Sequence, residues 1–400
     1  MNLAGLAWRY LWARPLSTAL NLTLLALGVA MMVFLLLVGE QAERSLRRDL
    51  AGIDLVVGAK GSPMQLMLAG VFHLDLPTGN IPLTTLAQLR AQPLVAQALP
   101  LALGDSIRGY RIVGTEPAYV DGHGAALAHG RSWQAPMEAV VGDTVAQELA
   151  AGPGAQLTGT HGLGAEGEAH AATPYIVVGR LRPCACVLDR LVLTSLESVW
   201  TVHEHHDGKA DDAVAALESR EVTLVLVRYR SPLAAAVLPR WVNAQPGLQA
   251  AAPALETARL FRLIGVGVDV LRGFAALLLA VSLLSVFIAL VHAVREREGD
   301  LAMMRMLGAP PRRLAMLIAL EALWLAALGS LAGLLLGHVL AQGLGLALAR
   351  ERSLPIGGWH WTSDELWCIV AVLGLGAVAA AVPAWRAARL EVARLLQAPS

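Results

Sequence analysis

The chain has 400 residues, with 31 basic and 31 acidic side chains and a formal charge of zero. Hydrophobic residues make up 56% of it and charged residues only 16%, against a charged share of about 25% in soluble domains. So few charges cannot cover that much apolar surface in water, which excludes a single soluble domain; the balanced charge excludes a nucleic-acid binder working through a broad basic field, and three cysteines exclude a disulfide-dense secreted scaffold.

In chain order, Arg9 and Arg14 precede a first run, residues 15–39, that contains no Asp, Glu, Lys or Arg. Three more such runs follow at 273–294, 322–349 and 366–385. About 20 helical residues cross a ~30 Å hydrocarbon layer, so each is long enough to span it. The first run far exceeds the ~7–15 residues of a signal h-region and leaves without a small-x-small site, so it reads as an uncleaved anchor. The organisation expected is a cytoplasmic N-terminus with helix 1 (1–40), an outer domain with helical stalks (41–262), helix 2 (263–294), a cytoplasmic loop (295–313), helix 3 (314–349), an outer loop (350–365), helix 4 (366–385) and a tail (386–400). The fold class is therefore a membrane protein of four transmembrane α-helices with a large α+β extracytoplasmic domain inserted between helices 1 and 2.

Arginine bias sets the orientation. Arg9, Arg14, Arg295, Arg297, Arg305, Arg312, Arg313, Arg386, Arg389 and Arg394 fall on one side, and Arg350 and Arg352 in the short loop on the other. The first group should be cytoplasmic, with residues 41–262 and the Trp359/Trp361 loop outside. Arg44, Arg47, Arg48, Arg259, Arg262 and Arg272 oppose this, but long domains translocate largely regardless of charge.

Within 41–262, β-branched runs at Asp54–Val57, Tyr110–Val113, Tyr175–Val178 and Val222–Val227 predict strands. Ala-rich stretches at Thr84–Ala91, Asp143–Ala150 and Pro232–Asn243 predict helices. Spaced residues at Ala42, Leu46 and Leu50, and at Ala254, Ala258, Phe261 and Gly265, predict that helices 1 and 2 continue beyond the bilayer as amphipathic stalks.

The loop between helices 2 and 3 reads Arg295-Glu-Arg-Glu-Gly299-Asp300-Leu-Ala-Met-Met-Arg305-Met-Leu-Gly308-Ala-Pro310-Pro311. Asp300 suits an N-cap, Gly308 a C′ position, and the prolines stop the helix. A short helix with Leu301, Met304 and Leu307 beside Arg305 suits a knob entering a partner's groove, or equally a turn resting on lipid.

This segment resembles the Arg/Glu-rich, "LRALGA"-like stretch of FtsX/MacB-type ABC-transporter permeases. Pro383-Ala-Trp-Arg386-Ala-Ala-Arg389 resembles the family's "PAxRAA" exit. Tyr110-Arg-Ile-Val-Gly114-Thr, Glu138-Ala-Val-Val-Gly142-Asp-Thr-Val-Ala146 and Val177-Val-Gly179-Arg-Leu resemble the MacB-type periplasmic core. The one-plus-three layout of spans is similar too. The resemblance implies an inner-membrane permease, a homodimer or pseudo-dimer working with a cytoplasmic ABC ATPase. The Asp300–Gly308 helix would couple ATPase closure to the outer domain, and a periplasmic or outer-membrane component is a further partner. No G-x-x-x-x-G-K-[ST] occurs in these residues, so Mg-ATP is expected on the partner and no cofactor or catalytic residue in this chain. An FtsX-like regulator of a periplasmic enzyme is the alternative from the same family.

Several residues stand out further. Glu321, near the cytoplasmic end of helix 3, is expected to reach the interface or to pair with Arg312 or Arg313. His292 and His338 sit at span ends as capping or interfacial groups. Gly329, Gly333 and Gly337 form a small-residue ridge on helix 3, as do Gly376 and Ala380 on helix 4; each could pack within a subunit or across a dimer. Cys184 and Cys186, with His203, His205 and His206, form the one metal-like grouping, which would suit a metal-responsive membrane protein. The family pattern has no cysteine pair there. Cys368 reads as packed in the bundle, and a catalytic set is absent.

Overall fold

A computed structural model describes residues 2–162, 173–207, 220–350 and 356–389. The chain divides into two compact units, one formed by Met1–Glu43 with Ile264–Ser400 and the other by Arg44–Leu263.

The first unit is helical. Helix α1 (Leu3–Trp12) precedes α2 (Pro15–Asp49), which with α9 (Pro253–Glu296), α11 (Pro311–Arg350) and α12 (Ser363–Ala388) makes four helices long and apolar enough to cross a membrane. Between α9 and α11 lies α10 (Glu298–Met306). At about 1.5 Å per residue the 35 residues of α2 extend about 52 Å and the 44 of α9 about 66 Å, well beyond a ~30 Å apolar layer. Continuous helix through Ala42, Leu46 and through Ala254, Phe261 is what the stalk pattern predicts. Helix α1 was not legible as an element: Asn2 caps it, its side chain accepting from the Ala4 N–H, and Thr18 Oγ1 donates to Leu11 O at 2.6 Å to fasten it to α2.

The small residues of α11 are where helices meet. An ideal Cβ built at Gly329 would lie 2.5 Å from Leu25 Cδ2, at Gly333 2.6 Å from Val29 Cβ, and at Gly337 2.9 Å from Val33 Cβ. The ridge of α11 therefore lies in the groove of α2 within one chain. Gly376 of α12 meets Ala326 of α11 in the same way, and Ala380 is buried in the bundle core. Without a hydrophobic drive between helices in lipid, such close approach supplies the packing.

The second unit is a mixed sheet flanked by helices. Its strands are β1 (Leu55–Ala59), β2 (Ile81–Pro82), β3 (Val95–Ile107), β4 (Tyr110–Gly114), β5 (Leu127–Gly130), β6 (Glu138–Val141), β7 (Gln156–Leu157), β8 (Thr160–His161), β9 (Tyr175–Leu181), β10 (Leu191–Thr194), β11 (Glu221–Val222), β12 (Leu224–Tyr229) and β13 (Leu248–Ala251). The main order is β13-β1-β12-β3-β4-β10-β6-β9-β5, with β7 on β9 and β8 on β3. Alternation along β1 and β12 sends Leu55, Val57, Val225 and Val227 to one core and Val56, Leu224 and Leu226 to another. Both faces are covered, by α4 (Thr84–Arg90) and α8 (Ala234–Asn243) on one side and α3 (Pro63–Gly70) on the other. That is why these strands read as unbroken apolar runs rather than as alternating ones.

The predicted strand Val222–Val227 is two strands. Thr223 interrupts it: its Oγ1 accepts from Leu103 N–H at 2.8 Å and its own N–H donates to Leu101 O at 2.9 Å. Glu221–Val222 then turns away to pair with β2. Of the predicted helices, α4 and α8 form as expected and α6 (Asp143–Glu148) ends slightly early. Helices α5 (Ala118–Gly122) and α7 (Leu196–Asp207) complete the unit among the described residues.

Candidate functional site: the α10 knob and its anchors

Helix α10 begins two residues before Asp300. The chain passes from α9 to α10 at Arg297, whose guanidinium donates from Nη1 to Glu321 Oε1 and from Nη2 to Tyr10 O, both at 2.9 Å. It also lies 4.2 Å from the centre of the Tyr10 ring. The anchored side chain fixes the corner, and Asp300 falls in the first turn, where a carboxylate favours the helix dipole without capping it. The C-terminus follows the expected pattern. Gly308 has φ +93°, its N–H bonds Arg305 O, and Ala309 N–H reaches back to Met304 O. This pair of bonds is a Schellman motif, which needs a left-handed residue at the glycine. Pro311 then opens α11 rather than merely stopping α10.

Burial sorts the apolar residues of the knob differently from their order in the sequence. Leu301 is 1% exposed and lies in the bundle core, against which Met304 packs partly, and Ala302 is 5% exposed. Met303 (57%), Met306 (56%) and Leu307 (84%) face outward. Leu301 and Met304, expected on the docking face, instead hold the knob down. Arg305 Nη1 donates to Ala388 O at 2.9 Å, so α10 is also tied to the last turn of α12, where a cation suits the free carbonyls.

Glu321 is 3% exposed and its partner is Arg297, not Arg312 or Arg313. A carboxylate this deep requires a buried, hydrogen-bonded cation, and Arg297 at the corner between α9 and α10 supplies it. Arg14 pairs with Glu296 beside it. Trp8 meets Trp324 edge-on with centroids 5.2 Å apart, so α1 lies against α11.

A second polar cluster sits 17 residues along α11 from Glu321, about 26 Å away. His338 is not interfacial: it is 3% exposed, its Nε2 lies 3.0 Å from Glu365 Oε2, and its Nδ1 bonds Gly358 O. The Gly358 carbonyl can only accept, so Nδ1 donates to it and Nε2 faces the Glu365 carboxyl. Glu365 Oε1 completes a capping box by accepting from Thr362 N–H. Gln41 and Gln342 grip the same loop, Gln41 through both the N–H and the carbonyl of Gly357 and Gln342 through Gly358 N–H. Sequence spacing gave no sign of this clamp. His292 is exposed and bonds the Ile288 carbonyl of its own helix.

In the second unit, Cys184 and Cys186 are joined in a disulfide, Cα atoms 5.1 Å apart. Sulfurs bonded to each other are not the thiolates a soft metal site needs. The side chains of His203, His205 and His206 lie outside the described residues, and among the described residues no group of three His, Cys, Asp or Glu could hold a metal ion. Cys368 is a free, half-buried thiol on α12.

Two family descriptions match the chain: FtsX-like permease C-terminal over residues 272–392, and MacB-like periplasmic core domain over residues 18–259. The chain is 25% identical over 425 aligned positions to the pyoverdine export ATP-binding/permease protein PvdT of Pseudomonas putida, covering 98% of this chain and 58% of that one. It is 31% identical over 135 positions to the lipoprotein-releasing system transmembrane protein LolE of Haemophilus influenzae, covering 30% of this chain and 32% of that one. The chain thus spans less than two thirds of the length of either relative. Among solved structures, the periplasmic region of MacB from Actinobacillus actinomycetemcomitans aligns at 10% identity and a TM-score of 0.36, over 54% of this chain and 95% of that one. The extracellular domain of the ABC-type transporter YknZ from Gram-positive bacteria aligns at 14% and 0.31, over 50% and 98%.

Proposed function

The chain belongs to the MacB/FtsX family of ABC-transporter permeases, and from that premise we propose that it is the non-catalytic membrane subunit of a machine driven by a separate cytoplasmic ATPase that binds Mg-ATP. The observation that carries the reading is the outward apolar face of α10, formed by Met303, Met306 and Leu307 on a knob anchored through Arg297 and Arg305. Methionines adapt to a partner's groove, and the two arginines pass a push on the knob to α1, α11 and α12 instead of letting a loose loop absorb it. The continuous helices α2 and α9 then carry the displacement to the α+β unit. In this reading the permease acts as a homodimer or pseudo-dimer in the inner membrane, with both termini cytoplasmic, as the arginine distribution favours. Its α+β domain lies outside between helices 1 and 2. The cargo is a molecule already in the membrane or outer compartment: a lipid-linked molecule, a peptide or a drug-like compound. The names of the two relatives, one of pyoverdine export and one of lipoprotein release, support that class.

The test replaces Met303, Met306 and Leu307 together by Asp in the full chain and measures co-purification with the ABC ATPase that binds the parent chain. Three apolar side chains at about 1.5 kcal/mol or more each make a loss of well over 100-fold in affinity the expected result. An unchanged yield of ATPase with the triple variant would remove α10 as the docking element.

A further inference from the structure

The loop between β9 and the 3-10 turn Val187–Arg190 plays no part in that scheme, yet four features converge on it. Its two cysteines flank Ala185, which is exposed and held at φ +51°, a left-handed conformation that residues with a Cβ seldom adopt. Cys184 and Cys186 are half-buried, packed against the core on one side and open to approach on the other. Asp189 folds back beneath them: its carboxylate accepts from the N–H of Cys184 at 3.0 Å and of Ala185 at 2.7 Å, and its Oδ1 lies 3.4 Å from Cys184 Sγ. Finally, the loop holds the end of α2. Val187 N–H donates to Asp49 Oδ1 at 2.8 Å, and Arg48 Nη1 lies 3.5 Å from Ala185 O.

We propose that Cys184–Cys186 is a thiol–disulfide exchange site for a dithiol protein, and that its redox state sets the grip of this loop on the last turn of α2. A static clip explains a disulfide, but not a carboxylate set against one of its sulfurs or a bond closed across a single residue in a left-handed turn. Accessible disulfides held with backbone strain are the labile ones. The chemistry balances as an exchange. A partner thiolate attacks Cys186 Sγ, the Sγ–Sγ bond breaks, and Cys184 leaves as a thiolate, taking a proton delivered through Asp189. The partner's second thiol, deprotonated, attacks the mixed disulfide and releases Cys186, which is protonated by water. Two electrons pass from the dithiol, now a disulfide, to this chain, now carrying two thiols. A monothiol is disfavoured because freed Cys184, tethered next to the mixed disulfide, attacks it at high effective concentration and expels the monothiol again. Burial raises the Asp189 carboxyl above its ordinary value, against the lowering pull of the N–H bonds it accepts from Cys184 and Ala185. Once reduced, the loop is no longer closed on Ala185, and the peptide that presents Val187 N–H to Asp49 is free to relax.

The experiment uses the full chain in lipid nanodiscs with Cys368→Ala, leaving the pair as the only thiol source. The protein is equilibrated without denaturant across ratios of reduced to oxidised dithiothreitol, quenched with a maleimide-polyethylene glycol, and read by gel shift. The same samples are followed by amide hydrogen exchange. The expected result is a reversible change between unlabelled and doubly labelled chain and far less reduction by glutathione at equal thiol concentration. Exchange at Val187 should quicken about tenfold or more on reduction. In Asp189→Asn, the exchange rate should lose a pH inflection present in the parent, whereas a merely structural Asp189 would leave the shape of the pH profile unchanged. Reduction that requires denaturant, a pair that stays labelled under oxidised dithiothreitol, or reduction with no change at Val187 would each overturn the proposal.

Discussion

Replacing Arg297 by Met isolates the corner that fastens α10 to the bundle. The Arg297 side chain is 12% exposed and that of Glu321 4%, so water screens neither group appreciably. Three interactions end at once: the 2.9 Å ion pair, the 2.9 Å bond to Tyr10 O, and the stacking over Tyr10. Removing one partner of a buried pair costs about 3–5 kcal/mol, because the remaining charge is left unpaired. Met keeps the apolar stem, so little packing is lost with the charge. Glu321→Gln alone leaves a buried guanidinium short of one acceptor and should cost about 2–3 kcal/mol. The double variant Arg297→Met/Glu321→Gln strands neither charge and should be less destabilised than the sum of the singles by about 2 kcal/mol or more. Equilibrium unfolding of the full chain in mixed micelles, titrated with dodecyl sulfate, measures all three. A loss below about 1 kcal/mol for Arg297→Met, or strict additivity in the cycle, would refute the argument that this pair holds the corner.

The same substitution ten residues apart on α11 should have opposite signs. Gly333→Ala puts a Cβ 2.6 Å from Val29 Cβ and 2.7 Å from Ala26 O, a backbone atom that cannot yield, and should cost about 1–3 kcal/mol. Gly343→Ala meets nothing within 4 Å and should gain up to about 1 kcal/mol from helix propensity; micelle unfolding reads both. The α+β unit should lose stability in mild acid. Burial, with the nearby Arg111 charge, holds the His73 imidazole well below its ordinary pKa, so the unfolded chain binds a proton that the folded chain refuses. Stability is then complete above about pH 6.5 and falls as pH drops below it, by about 1.4 kcal/mol at pH 5.5. His73→Asn tolerates the φ of +54° and should flatten that part of the pH dependence of thermal unfolding; an unchanged slope would count against a neutral His73.

Much of the membrane unit could be read in advance because its causes are local. A run without charges must either cross lipid or be buried, so residues 15–39, 273–294, 322–349 and 366–385 announce themselves by length alone. The Gly308 cap was equally legible, since only the residue at C′ needs a positive φ there. Helix α1 was not, because Leu3–Trp12 is too short and too aromatic to stand out beside a long apolar neighbour. Thr223 was hidden for a different reason: a threonine fits a strand by propensity, and only its bonds to Leu101 and Leu103 divide β11 from β12.

What the sequence determined by itself is the long apolar helices and a few strands, helices and caps of the α+β unit, because hydropathy, caps and breakers act over one or two turns. Which side of each element meets which neighbour was decided in three dimensions. In α10 apolar residues occupy most of the circumference, so only the packed structure separates Leu301, turned into the bundle, from Met303, Met306 and Leu307, turned out. Glu321 and Arg297 stand 24 residues apart, and His338 and Glu365 27 apart. A buried charge must find its counterion wherever the fold brings one within reach, and no local periodicity encodes that distance.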